Sequence, residues 1–406
     1  MQIVSIENNG IFKMYYDSIR KNNINMVLRA LPSILFIFSY VESQTRYIDE
    51  IFEEVTKTED VIYGNAPDLP FVFLFEWNTI DIDLDMDIYE PAGDTITNRP
   101  VIIFIHSGAF FTGNNEADDV VALSVASAKR GYVAVSMNYR LGLNVLSSYS
   151  GERAVYRGVQ DASAAIRYLR EHHTDYGIDY EKIFIWGTSA GSFIGLHLTF
   201  TEDDERTEST FGGGEDPDLG CIDCEGNDYE HNSKPNAIIS CWGAIGNLNW
   251  IDQENNTPTI MFHGTSDAVV PFNSGYPFTI DIFLPLVYGS NLIHNRLNEL
   301  NIENELYAEE GLLHEYWGTS NGSWAGGPND YFDLIKYDSY SFLFSLLYPY
   351  QVGDVNTDGL INNLDFANML SFIINENNPN VNLYYSDLNY DGLINIFDLL
   401  FLLQYI

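Results

Sequence analysis

Ser189 has the residue type and the surroundings of a nucleophile for acyl transfer. It is the central residue of GTSAG (residues 187–191), a G-x-S-x-G pattern that follows a wholly apolar run at residues 183–186. The two glycines leave room for a sharp turn between a buried strand and a helix, and such a turn exposes the serine hydroxyl. The apolar run at residues 192–200 is typical of a packed helix. We therefore predict a strand, a turn that carries Ser189, and a helix.

The base and the acid that would activate Ser189 come later in the chain. Asp267 follows an apolar run at residues 258–263, within HGTSDAVVP, and His314 follows a strand-like run at residues 303–309, within GLLHEY. A histidine can take the proton of the serine and return it to the leaving group, while a carboxylate orients the imidazole ring. We therefore predict that Ser189, His314 and Asp267 form one catalytic group.

Other side chains of the same types compete for the roles of acid and base. Glu309 and Glu310 are alternatives to Asp267. The histidines with competing positions are His106, His263 and His294, and we expect a structural role for His263 at the end of its strand. His231 lies in a polar loop, where we expect a solvated residue; a substrate contact is the alternative.

Small residues after another apolar run indicate a site for a negatively charged oxygen. The run at residues 101–105 ends in HSGAF (residues 106–110). Without bulky side chains, backbone N–H groups can point at the oxyanion that develops during acyl transfer. We predict that the N–H groups of Gly108 and Ala109 bind this oxyanion together with the N–H of Ala190, which directly follows the nucleophile.

The segments between these motifs predict how the site is positioned. Helix-like runs at residues 116–130 and 154–172 enclose a strand-like run at residues 132–137. This alternation predicts a mainly parallel central sheet with right-handed crossovers and flanking helices. In the second helix, the residues expected away from the apolar face are Arg157, Asp161, Arg167 and Arg170. Residues 80–89 alternate apolar residues with aspartates, which predicts a strand whose aspartates face water.

In this order, the motifs HSGA, GTSAG, HGTSD and GLLHEY resemble an α/β-hydrolase of the carboxylesterase/lipase kind over about residues 60–345. The resemblance implies the α/β-hydrolase fold, attack of Ser189 on an ester carbonyl, and hydrolysis of the acyl-enzyme without a cofactor. One departure is HSGA in place of an HGGG pattern. Because the oxyanion donors are backbone groups, Ser107 and Ala109 should be tolerated at this position.

Two similar segments close the chain, thirty-three residues apart. Each follows D-x-N-x-D-G-x-I-N-x-x-D, at residues 354–365 and 387–398. Oxygen ligands at loop positions 1, 3, 5 and 12, a carbonyl at position 7 and a glycine at position 6 are the requirements of a calcium loop. The predicted ligands are Asp354, Asn356, Asp358, Leu360 through its carbonyl and Asp365, then Asp387, Asn389, Asp391, Leu393 through its carbonyl and Asp398.

This duplicated pattern resembles a type I dockerin module and covers residues 351–406. The resemblance implies two structural calcium ions in a small all-α module. It also implies docking onto a cohesin of a scaffold protein or a cell surface. A module of this size should depend on its metal for folding.

Composition and cysteine number limit the remaining function classes. The 406 residues are enough for one large α/β domain and a small module, and 19 basic against 58 acidic residues give a formal charge of -39. Such a charge repels a phosphate backbone, so nucleic acid is excluded as a partner. Three cysteines are too few for a disulfide scaffold. We favour a Cys221–Cys224 disulfide in a polar loop, with a Cys224–Cys241 bridge as the alternative.

The first residues have the pattern of an export signal. An apolar run at residues 31–41 follows Arg29 and is too short for a comfortable membrane span. We predict a signal region at residues 1–43, with Met26 as a candidate true start; a buried core helix is the alternative. The predicted divisions are then a hydrolase domain at 44–350 and the calcium module at 351–406, in a secreted or surface-attached protein.

The polar, glycine-rich segment at residues 202–236 is predicted to be an insertion that forms a lid or a substrate wall.

Attachment to a scaffold suggests acetyl or feruloyl esters of plant or algal polysaccharide as substrates. Two rival interpretations are a prolyl-oligopeptidase-like peptidase and a binding protein that retains the hydrolase fold. The sequence shows no β-propeller repeats, and its catalytic motifs are intact, so neither rival is favoured.

Overall fold

The computed structural model describes residues 46–69, 76–144, 149–214, 216–279, 284–348, 352–357, 360–375, 378, 381–389 and 392–406. The predicted signal region at residues 1–43, including Met26, lies outside the described residues. So do Asp358 and Asp391, two of the predicted calcium ligands.

Strands and α-helices alternate along the chain from the third strand to the third helix, and several strands then follow one another. The strands are β1 (Val55–Asp68), β2 (Ile80–Pro91), β3 (Arg99–Ile105), β4 (Val133–Met137), β5 (Ile178–Thr188), β6 (Ala237–Cys241), β7 (Ala244–Ile245), β8 (Thr259–Gly264), β9 (Ser274–Gly275), β10 (Val287–Gly289), β11 (Asn304–Glu309), β12 (Thr319–Ser320) and β13 (Ser323–Trp324). The α-helices are α1 (Asp118–Lys129), α2 (Ser150–Glu171), α3 (Ala190–Phe200), α4 (Ser290–Leu300), α5 (Asp330–Leu347), α6 (Asn363–Asn375), α7 (Leu383–Ser386) and α8 (Ile396–Leu402).

The central sheet has eight strands in the order β1-β2-β4-β3-β5-β6-β8-β11. β1 and β2 are antiparallel at one edge, and the six strands from β4 to β11 are parallel. The carboxyl ends of these six strands therefore meet at one edge of the sheet. HSGA follows β3, Ser189 follows β5, Asp267 follows β8 and His314 follows β11, so the sheet delivers all four motifs to that edge.

Two hydrophobic cores lie on the two faces of the sheet. In β3, Val101, Ile103 and Ile105 join one core, whereas Ile102 and Phe104 join the other, as the period of two in a strand requires. Apolar residues of α2, α3 and α4 belong to the first core, and those of α1 and α5 to the second. Because both faces are covered, β4, β6 and β8 are buried along their whole length and are mainly apolar without alternation.

Several helix ends carry the caps that their sequences allow. The side chain of Asn329 accepts the N–H of Tyr331 at 3.0 Å where α5 begins. Asn395 caps α8 in the same way, and α4 ends at Asn301, whose φ of 56° is left-handed. Asparagine is favoured at both kinds of position because its short side chain bonds to nearby backbone groups.

The predicted alternation of β2 holds only in part. Ile80 and Ile82 are exposed, whereas Asp87 is buried, with its carboxylate 3.0 Å from Lys57 Nζ. β4 pairs with β2 only from Met86 to Tyr89, so the first half of β2 pairs with β1 alone. The length of β4, and not the alternation within β2, thus decides which residues of β2 are buried.

The insertion at residues 202–236 is fastened along the outer face of α2. Four side chains, called here the α2 clamp, donate hydrogen bonds to its backbone carbonyls: Arg153, Gln160, Arg167 and Arg170. Arg167, for example, donates to the carbonyls of Asn227 at 2.6 Å and Glu225 at 2.8 Å. Arg167 is consequently buried beneath the insertion, whereas Arg157 and Asp161 are buried in ion pairs with Glu76 and Arg140, which lie outside it. The insertion is therefore a fixed wall in this structure.

The structure joins Cys221 to Cys224 by a disulfide within this insertion. The N–H of Cys224 also donates to the carbonyl of Cys221 at 3.3 Å, which closes a tight turn. Cys241, the cysteine of the alternative pairing, is a buried free thiol at the end of β6.

Candidate active site

Ser189 lies at a sharp turn between β5 and α3. It has a φ of 50°, which is rare for a residue other than glycine, and its N–H donates to the carbonyl of Cys241 at 3.0 Å. A Cβ at Gly191 would lie 2.0 Å from the carbonyl oxygen of Ile105, and one at Gly187 would lie 2.4 Å from that of Gly191. The two glycines are thus required by close backbone contact, and the strained turn presents the Ser189 hydroxyl.

The structure brings the three predicted catalytic side chains together. Ser189 Oγ lies 2.9 Å from His314 Nε2, and His314 Nδ1 lies 2.6 Å from Asp267 Oδ2. With Nδ1–H donating to the carboxylate, Nε2 is free to accept the serine proton. The chain from hydroxyl to imidazole to carboxylate therefore has the geometry of a base-activated nucleophile.

The carboxylate of Asp267 is held by several donors. Its Oδ1 accepts the N–H groups of Val269 at 2.8 Å and Val270 at 2.9 Å, and its side chain is 0% exposed. Burial by itself would raise the pKa of the Asp267 carboxyl, but hydrogen bonds from His263 and His314 outweigh it and hold the pKa well below its usual range. The partner of His314 is thus Asp267, in preference to the alternatives Glu309 and Glu310.

One residue near the catalytic group was assigned only a structural role from the sequence. His263 Nε2 lies 3.3 Å from Asp267 Oδ2, on the side of the carboxylate that also receives His314. The separation of four residues across a strand end was the signal that could have indicated this contact. His294, by contrast, contacts Asn304 and Asn298 on the surface, and His231 pairs with Glu171.

The predicted oxyanion loop has backbone strain next to Ser189. Gly108 and Ala109 have φ values of 121° and 55°, and a Cβ at Gly108 would lie 1.9 Å from the carbonyl oxygen of Thr112. Within the described residues, no carbonyl or side chain accepts the N–H of Gly108 or Ala109. These two N–H groups and that of Ala190, at the N-terminus of α3, are therefore available to a ligand oxygen.

The histidine of this loop is a structural residue. His106 is buried, stacks on Tyr139 with ring centroids 4.3 Å apart, and bonds through Nδ1 to the carbonyl of Ser107 at 2.6 Å. Burial lowers the pKa of His106 to about 4, so the ring is neutral at pH 7 and donates from Nδ1.

An apolar cavity of about 420 Å³ opens beside Ser189. The aromatic and histidine side chains that line it are Phe110, Tyr156, Phe193, His197, Trp250, Phe278 and Tyr288. Glu202, Glu205 and Arg206 of the insertion line it as well, so the wall fastened by the α2 clamp forms part of this cavity. Its volume falls in the range of small-molecule sites.

A carboxylate and a backbone N–H secure the loop that carries His314. Glu315, with a φ of 48°, accepts the N–H of Asn321 at 2.7 Å, and the N–H of Asp119 in α1 donates to the carbonyl of Gly322 at 3.3 Å. Asp119 is fully buried, and within the described residues one of its carboxylate oxygens has no hydrogen-bond partner. Burial first, and then the charge of Glu315, raise the pKa of Asp119 to about 7.

The two predicted calcium loops have the same hydrogen-bond pattern. Asp365 accepts the N–H groups of Asn356 at 3.1 Å and Asn362 at 2.8 Å. Asp398, thirty-three residues later, accepts those of the corresponding residues, Asn389 at 3.3 Å and Asn395 at 2.8 Å. The duplication in sequence is therefore a duplication in structure, around a small core of its own.

The acidic side chains of these loops suit a hard cation. Asp354, Asp365 and Asp398 are 1%, 0% and 0% exposed, and oxygen-rich loops of this pattern are the ligands that calcium prefers. Within the described residues, no group of three His, Cys, Asp or Glu side chains stands in metal-binding geometry. The fifth-position ligands Asp358 and Asp391, however, are not among those residues.

Comparisons with known proteins agree with both parts of the chain. The BD-FAE family profile matches residues 86–246, and that of the Dockerin type I domain matches residues 352–406. The chain is 27% identical to neuroligin-like protein glit-1 of Caenorhabditis elegans, over 59% of this chain and 32% of that protein. It is 31% identical to juvenile hormone esterase of Tribolium castaneum, over 28% of this chain and 20% of that protein.

Two further similarities are to bacterial esterases. Para-nitrobenzyl esterase of Bacillus subtilis is 33% identical, over 23% of this chain and 20% of that protein. The solved structure of Thermogutta terrifontis esterase 2 phosphorylated by paraoxon is 23% identical, with a TM-score of 0.49, over 75% of this chain and 98% of that one. The chain spans about a third or less of the length of the curated relatives it matches.

The sheet order, the turn at Ser189 and the BD-FAE match define an α/β-hydrolase domain of the esterase type. At its C-terminus the same chain carries a type I dockerin domain, a class of domain that binds calcium. The predicted fold class and both resemblances are thus confirmed. None of the helices in the described residues has the length and apolar character to cross a membrane.

Proposed function

We propose that the protein is an exported serine carboxylesterase. The observation that carries this proposal is the continuous contact from Ser189 Oγ through His314 to Asp267, next to three available N–H groups. The similarity to carboxylesterases supports the same reaction class. Neither rival interpretation gains a specific observation from the described residues.

The reaction would proceed in two symmetrical halves. Ser189 Oγ attacks the ester carbonyl carbon while its proton passes to His314 Nε2, and the carbonyl oxygen becomes an oxyanion. The N–H groups of Gly108, Ala109 and Ala190 would bind that oxyanion, and each such donor is worth about 10²–10³ in turnover. Collapse of the intermediate expels the alcohol, which takes the proton from His314. Water then attacks the acyl-enzyme by the same route and regenerates Ser189.

The cavity favours a bulky or aromatic acyl group over acetyl. Its volume of about 420 Å³ exceeds what an acetyl group can fill, and its aromatic lining offers stacking partners. Of the two polysaccharide ester classes considered, feruloyl esters therefore fit better than acetyl esters.

The C-terminal module is proposed to bind two calcium ions and a cohesin. Each ion would be bound by one of the two sets of five ligands predicted from the sequence. Asp365 and Asp398 are the buried carboxylates that end the two loops. We place the hydrolase domain at residues 44–350 and the module at 351–406, in a secreted or surface-attached protein. The dockerin match at residues 352–406 supports these limits.

The test is hydrolysis of p-nitrophenyl esters from acetate to palmitate, with ethyl ferulate and acetylated xylan beside them. We expect activity in the parent, its loss in Ser189→Ala, and its retention in the matched control Ser345→Ala, whose serine lies on α5. Turnover of ethyl ferulate should exceed that of acetylated xylan. Equal activity in Ser189→Ala would refute the nucleophile.

Labelling with a fluorophosphonate separates the rivals. A labelled Ser189 in a protein that hydrolyses no ester would point to a peptidase, whereas an unlabelled protein would point to a binding function.

Calorimetric titration of chelated protein with calcium should give two sites, and Asp365→Asn with Asp398→Asn should abolish both.

A further inference from the structure

His263 is a buried polar residue whose hydrogen bonds reach the catalytic group. It is the second last residue of β8, it is 0% exposed, and the edge of Phe272 covers its ring. Its Nε2 lies 3.3 Å from Asp267 Oδ2 and 3.1 Å from the carbonyl oxygen of Val270. Its Nδ1 lies 2.8 Å from the hydroxyl of Ser290, which is also buried.

These contacts determine the tautomer of His263. Both groups that face Nε2 are acceptors, because Asp267 is a carboxylate and Val270 offers a carbonyl. Nε2 must therefore carry the proton. In the neutral ring Nδ1 is then an acceptor, so the Ser290 hydroxyl donates to it. A hydroxyl that donates to Nδ1 polarises the ring and strengthens donation from Nε2–H.

Asp267 Oδ2 thus faces two imidazole N–H groups, and the Nε2–H of His263 is shared between this oxygen and the carbonyl of Val270 at 3.1 Å. His314 is the closer donor at 2.6 Å, and His263 is at 3.3 Å. A second donor restricts the orientation of the carboxylate and takes up part of its negative charge. Less charge then remains to stabilise the protonated form of His314.

We propose that His263 is a positioning residue, which holds the Asp267 carboxylate against His314 and shares its negative charge, with Ser290 as its own support. The proposal rests on the proposed esterase function. His263 does not itself line the cavity, and its contact with the catalytic group is the one with Asp267, so its effect on turnover should pass through that carboxylate.

The experiment compares His263→Leu and His263→Gln with the parent in kcat, KM and the pH profile of kcat/KM. His263→Leu removes the donor, so kcat should fall about tenfold to hundredfold with KM unchanged. Because Asp267 regains charge, the acid limb of the profile should move to higher pH. His263→Gln can still donate from its amide and should recover part of both effects.

The matched control is His294→Leu, the same substitution at a histidine whose contacts are Asn304 and Asn298. It should leave kcat and the acid limb unchanged. An acid limb that stays in place in a folded His263→Leu variant would overturn the proposal. So would a His263→Gln variant no better than His263→Leu, or a loss confined to KM.

If His263→Leu does not fold, Ser290→Ala carries the test. It weakens donation from His263 without removing it, so the acid limb should move in the same direction by a smaller amount; no movement would refute the role of His263. The titration midpoint of the His314 imidazole, followed by NMR with labelled histidine, should rise in either variant. That readout needs no turnover, so failure of the esterase assignment and failure of this proposal are distinguishable.

Discussion

Asp119 should make the stability of the hydrolase domain depend on pH. Its carboxyl group has a pKa raised to about 7 from an ordinary value of 3.8, by burial first and by the charge of Glu315 second. The unfolded chain therefore loses this proton before the native state does as the pH rises. The native state binds the proton more tightly, so stability present below about pH 4 is lost as the pH rises to about 7.

The size of the effect follows from the two pKa values. One pKa unit corresponds to about 1.4 kcal/mol. Relative to its value at low pH, the free energy of unfolding should therefore fall by about 2 kcal/mol at pH 5 and by about 4 kcal/mol at pH 8. Asp119→Asn keeps the shape of the side chain but has no charge to bury. Between pH 5 and pH 8, the free energy of unfolding of the variant should therefore rise by about 2 kcal/mol relative to that of the parent.

The measurement is urea unfolding of both proteins at a series of pH values, in excess calcium, followed by tryptophan fluorescence. All six tryptophans precede residue 352, so the signal reports only on the hydrolase part of the chain. Asp216→Asn, at an exposed carboxylate of the insertion that is not among the causes of the raised pKa of Asp119, controls for the change in net charge. Parallel stability curves for Asp119→Asn and the parent would refute the argument that this buried carboxyl holds a proton.

Three further predictions follow from close contacts and from the metal. Gly191→Ala should destabilise the fold by more than about 2 kcal/mol and abolish ester hydrolysis, because its Cβ would lie 2.0 Å from a carbonyl oxygen. Its control is Gly311→Ala, which has open space around it and should cost about 1 kcal/mol and keep activity. Arg167→Met should cost about 2–3 kcal/mol and speed proteolysis of the insertion, because three backbone carbonyls lose their donor. Chelation of calcium should remove the circular dichroism signal of α6 and α8 while the tryptophan fluorescence stays native; an unchanged dichroism spectrum would contradict this.

The meeting of the three predicted catalytic residues could be anticipated because each lies in a short local pattern. Ser189, Asp267 and His314 follow apolar runs, and the carboxyl ends of parallel strands meet at one edge, so their meeting required no knowledge of packing. The glycines beside Ser189 and the small residues after β3 were informative for the same reason.

Contacts that join distant elements could not be predicted in this way. The approach of Asp119 to Glu315 depends on how α1 meets the loop after β11, and no local pattern encodes that distance. The burial of Arg167 depends on the insertion that covers it, and that of Arg157 on an ion pair with Glu76, whereas the charge of both residues predicts a solvated face. The exposure of Ile80 depends on the length of a neighbouring strand.

The α2 clamp also determines how freely the cavity wall can change its composition. Its donors bond to backbone carbonyl oxygens of the insertion, a group that every residue carries, including Pro217. Replacement of side chains in the insertion therefore leaves these anchors intact, provided that the backbone path is kept. New side chains could be presented to the acyl cavity on the same frame, so the specificity of this site could be altered there without any change to Ser189, His314 or Asp267.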